Sequence, residues 1–268
     1  IGGADYMTTH FSNGVTNVRG KDGATSLFSG IKQPLITGGT APAEWAYQDD
    51  FITYNDEDWT QILTGSAFIL SQYPQGWLRI GDAAPAGGEI NGIQSPEVFQ
   101  INTGKKWYFE TSIAITDVTE LNTFVGFADN AYVNPVALPD DGIGFSHLED
   151  TTSIQFVSRK NGAGVSFTVL EAGSTFVQLD STVATQSATV YGMPDNSVRL
   201  GFLFQPAGSE PSVTADQFKI FINGTVSGTL AATTVPDDLL MELKAFSESK
   251  GTVANDLFVD YVQTVQQR

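Results

Sequence analysis

The chain has 268 residues, with 13 basic and 30 acidic side chains, no cysteine and a formal net charge of −17. Such an acidic surplus argues against nucleic acid and an anionic membrane as partners, because both are themselves negative. The lack of cysteine excludes disulfides, thiolate metal ligands and a cysteine nucleophile, and fits assembly in a reducing cytoplasm. No apolar run approaches the length of a membrane span, and the first residues show no signal-peptide pattern.

The first 45 residues differ in composition from the rest. They contain eight glycines and two prolines, show no sustained apolar period, and carry charges that sum to zero. Such a segment cannot form its own core, so we predict an extended N-terminal arm (1–45) before a single β domain (46–268). Its apolar and basic side chains suit contact with another subunit, although the arm could instead wrap its own body or stay solvated. The candidate contact residues are Phe11, Arg19, Lys21, Phe28, Ile31, Lys32, Leu35 and Ile36.

The body reads as a series of short strands. These segments are rich in Val, Ile, Thr and Phe and are separated by Gly, Asn, Asp and Pro. The predicted strands are 66–71, 77–80, 107–116, 122–128, 153–158, 164–170, 175–180, 197–205, 217–222, 225–231 and 256–265. Many strands without clear helices indicate an all-β fold, a two-sheet antiparallel sandwich.

Two local patterns sharpen this prediction. The pairs Asn161-Gly162 and Asn223-Gly224 each predict a two-residue hairpin with a type I′ turn, which needs positive φ at both residues. The stretch 237–247 (DDLLMELKAFS) is ambiguous, because its apolar residues fit both an alternating strand and a helix face. We favour the strand.

Three carboxylates in residues 105–130 raise the question of catalysis. Side chains alternate along a strand, so Glu110 points away from the apolar face formed by Trp107, Phe109, Ile113 and Ile115. Asp117 is seven residues further on, an odd separation, and Glu120 lies in the following turn. A retaining glycosidase needs two carboxylates about 5 Å apart, and the chain has no E-x-D-x-x-E pattern. We therefore expect a non-enzymatic protein with no catalytic residues.

Other candidate sites are weaker. His10 and His147 lie far apart in sequence, and Ser146 precedes His147 without the glycine pattern of a nucleophile elbow. The acidic groups 56–58 (DED) and 140–141 (DD) offer hard oxygen ligands for calcium but lack the spacing of a calcium loop, so we expect solvated acids. We expect no metal and no cofactor.

Several segments together resemble a known superfamily. They are DDF (49–51), GWLRIG (76–81), KKWYFETSIAI (105–115), GFAD (126–129), FKIFINGTVSGTL (218–230) and LFVDYVQTVQ (257–266). Their order is similar to that of the concanavalin A-like (laminin G-like) jelly rolls. The segment MTTHFSNGVTNV (7–18) resembles the N-termini of tailed-phage virion proteins, particularly capsid decoration (cement) and other head-surface proteins of marine phages.

The second resemblance implies a function. A decoration protein would bind the major capsid protein through its arm, display the acidic sandwich outward on the capsid surface of the virion, and commonly form trimers. The alternative is a carbohydrate-binding virion module, such as a head fibre or tail component, that contacts host-surface glycans. Exposed aromatics beside polar loops would favour the alternative, and the candidates are Trp45, Tyr47, Trp59, Tyr132 and Tyr191.

Overall fold

The computed structural model describes residues 8–12, 15–19, 44–51, 58–64, 68–73, 77–82, 87–96, 99–116, 120–148, 153–170, 197–251 and 256–267. No helix in these ranges has the length and apolar character needed to cross a membrane.

Two antiparallel sheets account for most of the described chain. The seven-stranded sheet has the order β12 (Ala163–Leu170), β11 (Ile154–Lys160), β10 (Gly142–His147), β9 (Leu121–Ala128), β16 (Glu242–Ser249), β7 (Glu89–Gln94) and β4 (Thr60–Leu63). The eight-stranded sheet contains β15 (Thr225–Ala231), β14 (Gln217–Ile222), β13 (Val198–Gln205), β8 (Trp107–Ile115), β17 (Asp256–Gln267), β6 (Trp77–Asp82), β5 (Phe68–Tyr73) and β3 (Glu44–Asp49), which pairs with β17. The predicted all-β, two-sheet antiparallel sandwich is confirmed.

Large aromatic side chains fill the space between the sheets. Phe109 on β8, Phe127 on β9 and Phe202 on β13 are fully buried. The ring of Phe109 lies 5.4 Å from that of Phe127 and 5.5 Å from that of Phe202. Trp107 packs 4.8 Å from Phe127, and its indole N–H donates to the Thr264 hydroxyl at 2.6 Å. The odd residues of β8 therefore face the core, as their alternation predicts.

Most predicted strands correspond to observed ones, with some omissions. The sequence pattern did not identify β3, β4, β7 or β10, or the two short strands at 8–12 and 15–19, because these strands are short or contain glycine and polar residues. Residues 237–247 do form a strand in part: β16 begins at Glu242, whereas Leu239 and Leu240 lie before it and are 39% and 52% exposed. The predicted strand at 175–180 lies outside the described residues.

Within the predicted arm, the structure describes one separate hairpin. Strands β1 (Thr8–Ser12) and β2 (Val15–Arg19) pair with each other and form a two-stranded sheet of their own. Strand β3 spans the predicted boundary at 45/46 and joins the eight-stranded sheet. The division of the chain into arm and body remains a prediction.

Both Asn-Gly hairpins are confirmed. The φ values are 53° and 74° at Asn161-Gly162, and 50° and 77° at Asn223-Gly224. All four residues are left-handed, as a type I′ turn requires. The second turn also carries a tertiary contact, because the Asn223 side-chain oxygen accepts the backbone N–H of Arg199 at 3.0 Å.

We predict that Gly224→Val lowers the free energy of unfolding by about 1–2 kcal/mol or more, because a β-branched residue is strained at positive φ. A Cβ at this position would also meet the Arg199 guanidinium at 2.6 Å. Chemical denaturation measures the change. The matched control is Thr229→Val on the exposed extended part of β15, which should stay within about 0.5 kcal/mol of wild type. Equal stability of the two variants would contradict the turn assignment.

Candidate functional site

An open polar pocket of about 480 Å³ lies at one end of the sandwich. It forms where the chain entering β8, the loop before β16 and the end of β17 meet. Four of its seven lining residues are amides, which both donate and accept hydrogen bonds. The lining residues are Gln100, Ile101, Asn102, Thr103, Asp237, Gln266 and Gln267.

Hydrogen bonds between β17 and the loop before β8 hold this pocket in shape. With its amide oriented to match its partners, Gln266 donates to the Gln100 carbonyl at 3.2 Å and accepts the Asn102 N–H at 2.8 Å. The Gln267 N–H donates to the Lys106 carbonyl at 3.0 Å. Asn102 uses its side-chain oxygen to accept the Gly104 N–H at 2.9 Å, which closes the loop locally. The wall is thus built on the end of a strand.

Asp237 supplies the carboxylate of the pocket. Its Oδ1 atom lies 2.7 Å from the Lys160 ammonium, and this hydrogen bond lowers the pKa of Asp237 below its usual value. The Thr103 hydroxyl lies 3.5 Å from Oδ2, the other oxygen. Asp237 is therefore an ionised acceptor with its charge partly balanced from outside the pocket. None of the described lining residues is basic.

Glu110, the first carboxylate considered for catalysis, lies elsewhere and is already engaged. It points away from the core, as predicted, but it is only 2% exposed and so is not a solvated polar-face residue. The hydroxyls of Tyr108 and Tyr261 donate to its two oxygens at 2.6 and 2.5 Å. The Arg199 Nε atom lies 3.9 Å from Oε2. Burial and the nearby carboxylate raise the pKa of both tyrosines, so both remain hydrogen-bond donors.

The other buried carboxylates in the described part of the chain also have partners. Glu242 forms an ion pair with the fully buried Lys244 at 2.9 Å, and Asp256 forms one with Arg79 at 2.8 Å. Glu248 accepts from the Asn122 amide at 2.8 Å, and Asp141 accepts the Asn161 N–H at 2.8 Å. Sequence reasoning missed Glu242 and Glu248, although their even spacing in 242–248 places them on one face of β16.

The outer face of the seven-stranded sheet is covered beside these residues. Tyr132, from the loop after β9, packs against Phe124 at 5.1 Å and Phe246 at 5.2 Å between ring centres. The Lys244 ammonium donates to the Tyr132 carbonyl at 2.8 Å, which ties the same loop to the sheet. This face is closed by the protein's own side chains at the point where Glu242 and Lys244 lie.

Several sequence candidates have structural roles instead. Trp59 is 2% exposed and donates its indole N–H to Asp49 at 2.6 Å, and Tyr132 is 8% exposed, so neither presents an open ring to a sugar. Tyr47 is half-buried. Ser146 and His147 are adjacent on β10 and so face opposite sides of the sheet, and His147 lies 3.0 Å from the Ser153 carbonyl.

The remaining candidates fall partly outside the described structure. Within the described ranges, no group of three or more His, Cys, Asp or Glu residues is placed to hold a metal ion. Asp56, Glu57, Asp117 and Tyr191 lie outside those ranges, as do the side chains of His10 and Trp45. The same holds for the predicted arm contacts: only the backbone of Phe11 and Arg19 is described, in β1 and β2.

Asp260 is the described carboxylate whose pKa burial raises most clearly, to about 6, with a smaller contribution from the nearby charge of Asp50. It lies where the pairing of β17 with β8 shifts register between Val259 and Tyr261. A carboxyl with a raised pKa at a bulge does not by itself define a site. The amide-lined pocket remains the best candidate.

Comparison with known proteins agrees with this fold. A scan against protein-family models and a search of curated proteins find no match. Among solved structures, the chain is similar to the catalytic domain of an endo-1,3-β-glucanase (laminarinase) from Thermotoga petrophila RKU-1, with 11% identity over 85% of this chain and 100% of that chain and a TM-score of 0.51.

Two further solved structures resemble the chain. A protein of unknown function from Shewanella oneidensis MR-1 shares 14% identity over 91% of this chain and 95% of that chain, with a TM-score of 0.47. The carbohydrate recognition domain of Emp46p, in its metal-free form, shares 9% identity over 81% of this chain and 93% of that chain, with a TM-score of 0.49.

The chain thus has the concanavalin A-like jelly-roll fold, which carbohydrate-binding domains and glucanases share. At this level of identity the similarity concerns the fold alone. It does not bear on a phage or capsid origin, which remains a prediction from the sequence.

The buried cluster of Glu110, Tyr108 and Tyr261 gives a prediction about stability. Glu110→Gln should lower the free energy of unfolding by about 1–3 kcal/mol, because the new amide nitrogen cannot accept from a buried tyrosine hydroxyl. The control is Glu120→Gln, a half-buried residue just before β9, which should have little effect. Thermal and chemical unfolding measure both. Unchanged stability in Glu110→Gln would mean that the two hydroxyl contacts contribute nothing.

Proposed function

We propose that the protein is a non-catalytic carbohydrate-binding module whose ligand site is the amide-lined pocket. The observation that carries this proposal is the concentration of four amides, one hydroxyl and one carboxylate around an open pocket of about 480 Å³. Sugar hydroxyls both donate and accept, and amide side chains match them in both directions. In the virion setting that the sequence resemblance implies, the ligands would be host-surface glycans.

The charges of the pocket favour neutral sugars. Asp237 is ionised and can accept from a sugar hydroxyl, whereas no described lining residue is basic. A net charge of −17 further repels anionic glycans at long range. We therefore expect neutral oligosaccharides to bind more tightly than sialylated or sulfated ones.

The buried carboxylates support a binding role without hydrolysis. Glycoside hydrolysis needs an acid and a second carboxylate that are both free to act on the sugar. In the described chain, Glu110, Glu242 and Glu248 are each held by hydrogen bonds or ion pairs beneath other side chains. Asp237, the pocket carboxylate, has a lowered pKa and so is unsuited to act as a general acid.

A binding experiment tests the proposal. A glycan array identifies the best neutral ligand, and calorimetry then compares wild type with the double variant Gln100→Ala/Gln267→Ala. Losing two sugar contacts should weaken binding about tenfold or more, at roughly 0.5–1.5 kcal/mol each. The control Gln61→Ala, on exposed β4 at the edge of the seven-stranded sheet, should bind like wild type.

Two results would contradict this function. The first is that no neutral glycan binds, or that the pocket variant binds as well as the control. The second is that the wild type releases reducing sugar from a β-glucan or agar, which would make the protein an enzyme.

Capsid decoration is a second candidate, supported by the point at which the predicted arm would join the body. Strand β3 pairs with β17 so that Glu44 lies opposite Gln267, and β3 therefore begins at one end of the sandwich. The hairpin of β1 and β2 pairs with neither sandwich sheet among the described strands. An arm that leaves from one end is suited to bind a major capsid protein while the acidic body projects outward.

The arm is tested by its removal. We predict that a chain beginning at Ala46 stays folded and β-rich but no longer binds particles that lack this protein, because the apolar arm residues would supply the contacts. The full-length chain should rebind with only a modest loss at high salt, since apolar contacts are not screened. Copy number in purified particles distinguishes decoration (hundreds) from a fibre or tail part (a few). Equal rebinding by the truncated chain would contradict the tether and favour the glycan module.

A further inference from the structure

The segment that carries Asp237 crosses the end of the sandwich from one sheet to the other. It leaves β15 in the eight-stranded sheet and enters β16 in the seven-stranded sheet. Between these strands, residues 232–241 (the crossing segment) pair with the rest of the chain as a strand only at Met241, which forms a single bridge with Phe99. The position of Asp237 therefore depends on the side chains that hold this segment.

The core-facing row of β11 changes from apolar to polar at this end of the sandwich. Ile154 and Phe156 are buried in the core. Because side chains alternate along a strand, Ser158 and Lys160 lie on the same face. The Ser158 hydroxyl donates to the Thr234 carbonyl at 2.6 Å, and the Thr234 hydroxyl donates to the Ser158 carbonyl at 3.3 Å. This pair of hydrogen bonds ties the crossing segment to β11 independently of Lys160.

Lys160 holds the carboxylate of the pocket. Its ammonium lies 2.7 Å from Oδ1 of Asp237 and 3.2 Å from Oδ2 of Asp238, both in the crossing segment. Lys160 is not itself a lining residue. The other oxygen of Asp237, Oδ2, lies 3.5 Å from the hydroxyl of Thr103, which does line the pocket. One carboxylate oxygen thus faces the ammonium and the other faces the pocket wall.

The backbone that follows Lys160 is also fixed. Asn161 and Gly162 form the type I′ turn with positive φ at both residues. The Asn161 N–H donates to the Asp141 carboxylate at 2.8 Å, and the Gly162 N–H donates to the Asp140 carbonyl at 2.9 Å. The lysine side chain therefore extends toward the crossing segment from an anchored turn.

We propose that Lys160 is a positioning residue for glycan binding, which holds Asp237 so that its Oδ2 atom accepts a sugar hydroxyl. This inference rests on the proposed function, because it assigns a role at the same pocket. A carboxylate that is already held by an ammonium loses less rotamer freedom when a ligand binds, and such pre-organisation lowers the cost of binding. The same ion pair keeps Asp237 ionised, and so an acceptor, as the lowered pKa of Asp237 indicates.

A double-mutant cycle tests whether Lys160 acts through Asp237. Calorimetry would compare wild type, Lys160→Met, Asp237→Asn and the double variant with the best neutral oligosaccharide. We expect Lys160→Met alone to weaken binding about fivefold, and to have no further effect in the presence of Asp237→Asn. Lys160→Arg should restore most of the affinity, because a guanidinium also pairs with carboxylates. The control Lys219→Met removes the same charge from a half-buried position on β14, in the other sheet, and should bind like wild type.

A second measurement needs no ligand. Nuclear magnetic resonance would follow the titration of the Asp237 carboxyl, whose signal is assigned by its loss in Asp237→Asn. We expect Lys160→Met to raise the pKa of Asp237, because it removes the ammonium and leaves the carboxyl beside that of Asp238. Circular dichroism would confirm that each variant is folded, which the hydrogen bonds between Ser158 and Thr234 should ensure.

Three outcomes would overturn the proposal. Wild-type affinity in Lys160→Met, with weakened binding in Gln100→Ala/Gln267→Ala, would keep the pocket as the glycan site but remove the role of Lys160. Equal weakening by Lys160→Met with and without Asp237→Asn would show that Lys160 does not act through Asp237. An unchanged pKa of Asp237 in Lys160→Met would show that the ion pair does not hold this carboxylate. Failure of the proposed function looks different, since Gln100→Ala/Gln267→Ala would then bind glycans like wild type or no glycan would bind at all, and the role of Lys160 would be lost with it.

Discussion

The packing of aromatic rings between two antiparallel sheets determines what the rest of this protein can do. Phe109, Phe127 and Phe202 are fully buried in the interior, where the ring of Phe109 lies 5.4 Å from that of Phe127 and 5.5 Å from that of Phe202. The outward faces are also largely buried, by Tyr132 over β9 and β16 and by the cluster of Tyr108, Leu203 and Phe221 on the other sheet. In the described part of the chain, the open polar pocket lies at one end of the sandwich.

The pocket and the start of β3 lie at the same end of the molecule. Gln267 lines the pocket and also pairs with Glu44, the first residue of β3. A chain anchored closely through its arm would turn the pocket toward the anchoring surface, whereas a free or fibre-borne module would leave it open to glycans. The two functional proposals therefore compete for the same end of the sandwich.

Sequence alone predicted the architecture much better than the site. Alternation in 107–115 and the Asn-Gly pairs define β8 and two hairpins, because these signals are local. Strand β10 escaped notice because two of its six residues are glycine, and only tertiary contact makes it a strand. The pocket is lined by residues 100–103, 237 and 266–267. These residues are far apart in the sequence, so no spacing pattern could predict that they come together. The sequence predicted the direction of the Glu110 side chain but not its burial, because its hydrogen-bond partner Tyr261 lies 151 residues away in the sequence.

The central claim is that the amide-lined pocket holds a neutral glycan, and hydrogen exchange with bound ligand tests it directly. The full-length chain would be labelled with and without its best neutral oligosaccharide, and the exchange of each backbone segment compared. The account predicts added protection at 99–106, 236–241 and 264–267, with none at β4 on the far edge of the seven-stranded sheet. Protection confined to other segments, or no change at saturating ligand, would contradict it.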